Sequence, residues 1–149
     1  MRLTTKGRYA VMAMVDLAQH SDGEPVALAD VADRQAISLS YLEQLFQKLR
    51  RANLVKSVRG PGGGYLLFRD SRETPISEVI AAVDEALRAT RCAPGGPLGC
   101  AGGIENCLTH DLWEELSDQI QLFLNSVTLY DVVQGRVRRE IKVIGGTAA

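Results

Sequence analysis

The chain has 149 residues, 46% of them hydrophobic and 23% charged, which suits one soluble globular domain or one domain with an appended helix. Its longest unbroken apolar run, Tyr9 to Val15, has seven residues, too few to span a membrane. The net charge of −1 hides an asymmetry: ten Lys/Arg stand against six Asp/Glu in residues 1–69, three against eleven in 70–134, and four against one in 135–149.

The N-terminus is short and charged and lacks a signal-peptide cleavage pattern, which places the protein in the cytoplasm. Residues 5–19 read as a helix with Tyr9, Met12, Val15 and other apolar residues on more than one face, and therefore buried. Ser21-Asp-Gly-Glu-Pro25 is turn chemistry. A short helix over 28–35 turns Leu28, Val31 and Ala32 inward, and Ala27 gives it a poor N-cap.

After Ala36-Ile37 a second helix is expected over 39–51. Ser38 serves as its N-cap, and Ser40 with Glu43 also has capping-box spacing. Leu42, Leu45, Phe46 and Leu49 recur at i, i+3, i+4 and i+7, and Ser40, Glu43, Gln44, Gln47 and Lys48 occupy the opposite face. Two short helices so closely joined match a helix-turn-helix, although any helical hairpin shares the pattern.

The next segment favours the DNA-binding reading. Asn53 suits a left-handed helix end, 54–58 and 65–68 read as strands, and Arg59-Gly-Pro-Gly-Gly-Gly64 reads as the turn between them. Helix-turn-helix plus hairpin is a winged helix. The glycines are no phosphate-binding P-loop, since the Gly-Lys-Ser/Thr ending is absent. Residues 47–59 carry Lys48, Arg50, Arg51, Lys56 and Arg59 with no acid, the charge footprint of a nucleic-acid face.

Thr74-Pro75 signals another helix, running to about 87 with Val79, Ile80, Val83 and Leu87 inward. A last long helix is expected over 110–127, with Leu112, Trp113, Leu116, Ile120, Phe123, Leu124 and Val127 on one face. Eighteen helical residues span roughly 27 Å, more apolar stripe than the preceding domain can cover. A homodimer in which two such helices cross is the expected solution. Thr128 with Asp131 caps a short closing helix, and 135–149 is expected to be a flexible tail. The expected class is thus mainly α with a small β-hairpin wing. A winged helix-turn-helix domain occupies 1–87, a ligand-bearing loop 88–110, and the dimerisation helix with its capping helix 110–134.

All three cysteines, Cys92, Cys100 and Cys107, fall in one Gly- and Pro-rich stretch that ends at His110. In a reducing compartment such thiols are ligands or redox groups rather than a disulfide framework. Three thiolates and an imidazole can complete a metal shell. Zinc accepts the same donors, but its sites usually use closely paired cysteines, unlike the wide gaps here. His20, at a helix end and without such company, reads as an exposed cap.

Ile37-Ser-Leu-Ser-Tyr-Leu-Glu-Gln-Leu-Phe46, Ser57-Val-Arg-Gly-Pro-Gly-Gly-Gly-Tyr-Leu-Leu67, Ala82-Val-Asp-Glu85, Ala89-Thr-Arg-Cys92 and Cys107-Leu-Thr-His110 resemble the IscR family, bacterial regulators of iron–sulfur cluster assembly. The resemblance covers residues 1 to about 130, and both gaps between cysteines are longer than in the family's familiar form. It implies a dimeric winged-helix regulator, repressor or activator, carrying one [2Fe–2S] cluster per subunit on Cys92, Cys100, Cys107 and His110. Cluster-assembly proteins would be its donors.

On DNA, Ser40, Glu43, Gln44 and Gln47 would face the major groove, Ser38 and Tyr41 would also contact DNA, and Arg59, Gly60, Pro61 and Gly62 would face the minor groove. Lys48, Arg50, Arg51 and Lys56 would meet phosphates. A carboxylate on such a helix is repelled by phosphate unless it accepts a hydrogen bond, as from cytosine N4, so Glu43 would penalise some sequences and permit others. The resemblance implies that this lets cluster-free and cluster-bound forms favour different sites.

No nucleophile–base pairing is visible, and no catalytic residue is expected. Two rival readings remain open: a thiol- or zinc-based redox-sensing regulator, and an iron–sulfur carrier or electron-transfer protein.

Overall fold

The computed structural model describes residues 4–88 and 108–137; residues 1–3, 89–107 and 138–149 lie outside them. The expected ligands Cys92, Cys100 and Cys107, and the expected tail beyond 137, therefore fall outside the described residues. The order is α1 (Thr5–His20), α2 (Leu28–Gln35), α3 (Leu39–Arg51), β1 (Val55–Val58), β2 (Gly64–Leu67), α4 (Ile76–Ala82), α5 (His110–Ser126) and α6 (Leu129–Val133). A single 3-10 turn, Ser71–Glu73, precedes α4.

The first helix is the floor of the core. Ala10, Ala13, Met14 and Leu17 are fully buried, and Tyr9, Val11 and Val15 flank them half-buried, as a helix apolar on more than one face requires. Over it pack Val31 from α2, then Leu42, Leu45, Phe46 and Leu49 from α3, and Val79 and Ile80 from α4. The apolar stripe expected on 39–51 is the stripe that the fold buries.

A charged clamp fixes α2 against α1. Asp16 is 2% exposed. It accepts two bonds from Arg34 Nε at 3.0 and 3.2 Å, one from Arg34 Nη2 at 2.7 Å and one from Gln35 Nε2 at 2.8 Å. A buried carboxylate is tolerated when its lone pairs are met in this way. Burial works against ionisation here, but the bonds from Arg34 and Gln35 and the charges of Arg34 and His20 outweigh it, and the carboxyl sits below its ordinary 3.8. His20, at the end of α1, is part-exposed and lies 2.8 Å from the Asp16 carbonyl, a helix-end contact as expected.

The two strands pair antiparallel with Val55 opposite Leu67 and Val58 opposite Gly64. The expected first strand starts one residue early, since Leu54 is buried in the connection, and the expected second strand is shifted by one: β2 begins at Gly64, and Phe68, past its end, is 52% exposed. Val26 adds a bridge to Tyr65, with bonds of 2.9 and 2.8 Å, so the α1–α2 connection forms a third rung of the sheet. Gly64 permits that approach, because a Cβ there would lie 2.2 Å from the Val26 carbonyl oxygen.

Three expectations need correction. Pro75 is the residue before α4 rather than its first helical residue, and bridges to Thr128 instead. The helix stops at Ala82, not 87, because Val83 closes it and Asp84 turns left-handed at φ 59°. Leu87 still packs against the core from outside the helix. Val127, expected on the dimer stripe, is 5% exposed within this chain's own core, beside the fully buried Leu129. Ile76 N–H donates to the Val127 carbonyl at 2.9 Å and Leu129 N–H to the Thr74 carbonyl at 3.0 Å, which stitch the end of α5 to the start of α4.

A candidate nucleic-acid interface and the helix behind it

The reading helix α3 starts as the sequence implies. Ser38 is extended, and its Oγ accepts the Tyr41 N–H at 3.3 Å. Ser40 lies inside the helix and is not its cap, so the alternative capping role for Ser40 and Glu43 does not hold at this end. Ser40, Glu43, Gln44, Gln47, Arg50 and Arg51 are all exposed away from the buried stripe, and Ser38 is exposed at the N-cap. Tyr41 is half-buried, its ring meeting Tyr9 edge-on at 6.0 Å, which orients the exposed face relative to α1.

The connection between α2 and α3 is one that composition does not announce. Ala36 takes a left-handed φ of 53°, a conformation that favours glycine or asparagine, and Ile37 N–H bonds back to the Ala32 carbonyl at 3.1 Å. Asn53 does take the left-handed position at φ 56° that closes α3.

The wing stands beside this face. Phe46 on α3 meets Tyr65 on β2 edge-on at 4.9 Å, so reading helix and hairpin share one aromatic joint. At the tip, Pro61 is followed by Gly62 at φ 71°, and Gly63 N–H bonds to the Gly60 carbonyl at 2.9 Å, the signature of a type II turn. Lys56, Arg59, Gly60, Pro61 and Gly62 are exposed. No salt bridge engages Arg50, Arg51, Lys56 or Arg59 among the described residues. Lys48 differs from the expectation: it is half-buried and ion-paired with Asp84, so its charge is met within the chain.

Of the four expected ligands, His110 is described: it is the first residue of α5, and its side chain is 11% exposed. Its Nε2 lies 3.6 Å from Glu114 Oε2, and the ligand atoms of His110, Asp111 and Glu114 fall within 4.8 Å of one another. Asp111, in the first turn, suits the positive end of the helix, Glu114 follows one turn on, and exposed acids of this kind need no metal to explain them.

The rest of α5 is amphipathic yet has no fully buried residue. Leu112 is 59%, Leu116 41%, Phe123 47% and Trp113 37% exposed, while Ile120 and Leu124 are half-buried. Leu124 packs on the core, and with Gly7, Val11, Met12, Ile76 and Ile80 it lines an open apolar groove of about 290 Å³. No helix among the described residues is long and apolar enough to cross a membrane.

A helix-turn-helix with its exposed polar face, an aromatic-jointed wing and an acid-free basic stretch define a winged-helix transcriptional regulator. The chain belongs to the Rrf2 family, whose description, "Iron-dependent Transcriptional regulator", matches residues 3–135. It is similar to "HTH-type transcriptional regulator IscR" of Serratia proteamaculans, 59% identical over 91% of this chain and 81% of that protein. The IscR of Escherichia coli O1:K1 / APEC is 58% identical, with 91% and 82% of the two chains covered. Among solved structures, T. potens IscR aligns at a TM-score of 0.74 and 36% identity over 98% of this chain and 94% of that one. CymR, described as the global cysteine regulator of B. subtilis, aligns at 0.76 and 30% over 91% and 98%. These likenesses support a DNA-binding regulator with this fold.

Proposed function

We propose that this protein is a dimeric DNA-binding regulator that reports iron–sulfur cluster status and controls cluster-assembly and related genes. The observation that carries the reading is the position of His110, the one described ligand candidate, at the first residue of the long helix whose apolar stripe is left exposed among the described residues. Whatever His110 and the cysteines before it hold is thereby attached to the root of the assembly helix.

The donor set fits a [2Fe–2S] cluster: Cys92, Cys100, Cys107 and His110 would hold it, three thiolates and one imidazole. A cluster so ligated supplies a redox-active centre of raised potential. The imidazole link is protonatable, which suits a sensor that gains and loses its cluster.

On the DNA side, Ser40, Glu43, Gln44 and Gln47 contact base edges in the major groove, and Ser38 and Tyr41 flank them at the helix start. Arg59 and the Gly60-Pro61-Gly62 tip approach the minor groove, and Arg50, Arg51 and Lys56 meet phosphates. Leu112, Trp113, Leu116, Ile120, Phe123 and Leu124 cover one another across a two-fold axis. The reading predicts half-sites one or more helical turns apart.

Iron, acid-labile sulfide and zinc are to be measured on anaerobically purified protein, beside its visible spectrum. About two irons and two sulfides per chain, lost in Cys92→Ala and His110→Ala, are expected for one [2Fe–2S] centre. Zinc without sulfide would leave a winged-helix regulator with a structural metal and overturn the sensor reading.

A further inference from the structure

The chain leaves the DNA-reading unit through two adjacent carboxylates, each tied to a different helix of it. Val83 is fully buried and anchors the exit, and Asp84 then turns left-handed. From there the Asp84 carboxylate reaches Lys48 Nζ on α3, across 36 positions of sequence. The next residue, Glu85, accepts the Thr4 backbone N–H at 2.5 Å at the start of α1. Its second oxygen rests on Gly7, where a Cβ would lie 2.1 Å away, so a side chain at position 7 would push the Glu85 carboxylate aside.

The Lys48 contact stands out by charge. The stretch 47–59 has five basic residues and no acid of its own. Among the described residues Lys48 is the one member of that set with a carboxylate partner, and the partner comes from the segment leading to Cys92. Hydrogen bonding to Lys48 and its positive charge hold the Asp84 carboxyl below its usual range, with a smaller contribution from Lys6. Asp84 is 75% exposed and the Lys48 side chain 35%, so water competes for the pair and a modest shift of the exit segment can open it.

We propose that Asp84 is a positioning residue that withholds Lys48 from the DNA backbone, and that moving the exit segment releases Lys48 to a phosphate. The path from the cysteine segment to α3 is then a change in the number of phosphate contacts as well as in the spacing of two reading helices. This rests on the DNA-binding reading above and deepens it, and Lys48 changes from a constant contact to a conditional one.

The test counts phosphates through salt. Each neutralised phosphate contributes about −0.9 to the slope of log K against log salt on duplex DNA. Full-length, cluster-free protein is titrated with a short mixed-sequence duplex as wild type, Asp84→Asn, Lys48→Gln and the double variant, thermal unfolding confirming that each is folded. The slope for Asp84→Asn is expected to steepen by about 0.9. Lys48→Gln alone should keep the wild-type slope, and the double variant should match Lys48→Gln. A purely structural role for Asp84 would change stability without this pattern.

An unchanged slope in Asp84→Asn, or a flatter one in Lys48→Gln alone, would overturn the proposal, the latter by showing Lys48 already on phosphate. Should Asp84→Asn fail to fold, Asp84→Gly accommodates the left-handed backbone and is read the same way. Salt-dependent binding that no variant alters defeats the withholding of Lys48 alone; no salt-dependent binding by wild type defeats the DNA-binding reading, and the inference with it.

Discussion

Two helices of this chain have the same design and opposite fates. Both α3 and α5 carry an apolar stripe against a polar face, but Leu42, Leu45, Phe46 and Leu49 of α3 are 2% exposed or less, whereas Leu112, Leu116 and Phe123 of α5 are 41% or more. The stripe of α3 is met by α1, α2 and the wing within one chain, which frees its polar face for DNA. The stripe of α5 is covered by nothing comparable among the described residues. Amphipathicity alone therefore does not say where a helix buries its face; the reach of the surrounding elements decides. One helix is finished by its own chain, and the other keeps its stripe exposed among the described residues.

The sharpest way to break this contrast is to make the same substitution in both helices. Leu45→Ala is expected to cost about 2–5 kcal/mol, as a large-to-small change at a closed core site. Leu116→Ala in dilute protein should stay within about 0.5 kcal/mol, as at ordinary surface positions. Urea unfolding measures both. A thermal midpoint that rises with protein concentration in wild type, and less so in Leu116→Ala, would show that α5 is covered by another copy. Equal losses at all concentrations would show that the contrast is wrong.

Asp16 sharpens the claim that α3 is positioned from within. Removing a buried charge that holds an arginine costs about 3 kcal/mol, the low end of its range because Arg34 remains partly in water. Asp16→Ala should lose that much in denaturant. The folded carboxyl lies below 3.8, so its contribution is present above that value and drains as the pH falls through the lower folded value. Wild type should therefore lose this part of its stability only in acid below about pH 3.8, while Asp16→Ala should show no such step.

Smaller effects follow on the reading face. Glu43→Ala should leave stability within about 0.5 kcal/mol and relax base preference at one operator position by about 1–3 kcal/mol, read by binding to a panel of single-base operator variants. Unchanged preference would remove Glu43 from base readout. Ser38→Ala should cost about 1 kcal/mol through its lost cap, read in denaturant, and no loss would mean that Tyr41 N–H finds water as readily.

The features read from sequence are those whose causes lie within a few residues. The stripe of α3, the cap at Ser38, the left-handed Asn53 and the Thr128–Asp131 capping box all close over short spans, and the capping box has both its bonds. The rest is settled by distant partners. Val26 pairs with Tyr65, Pro75 with Thr128, and Lys48 with Asp84, and no local pattern marks any of these. The apolar spacing that suggests a helix to residue 87 is real, since Val83 and Leu87 both pack inward, but the backbone turns at Asp84 between them. Charge alone marks Lys48 as a phosphate contact, and its partner Asp84 stands 36 positions away, beyond any local pattern.

The stitch between Thr74–Ile76 and Val127–Leu129 has a consequence for synthesis. Leu129 and Val127 are part of the core that supports the reading helix, so a fragment ending near residue 87 lacks two of its buried side chains. On the ribosome the core is completed not when the wing emerges but about 60 residues later, roughly 3–12 s at 5–20 residues per second. During that interval the cysteine segment is already made while the core is still incomplete, so the order of manufacture puts the proposed ligands ahead of the finished fold.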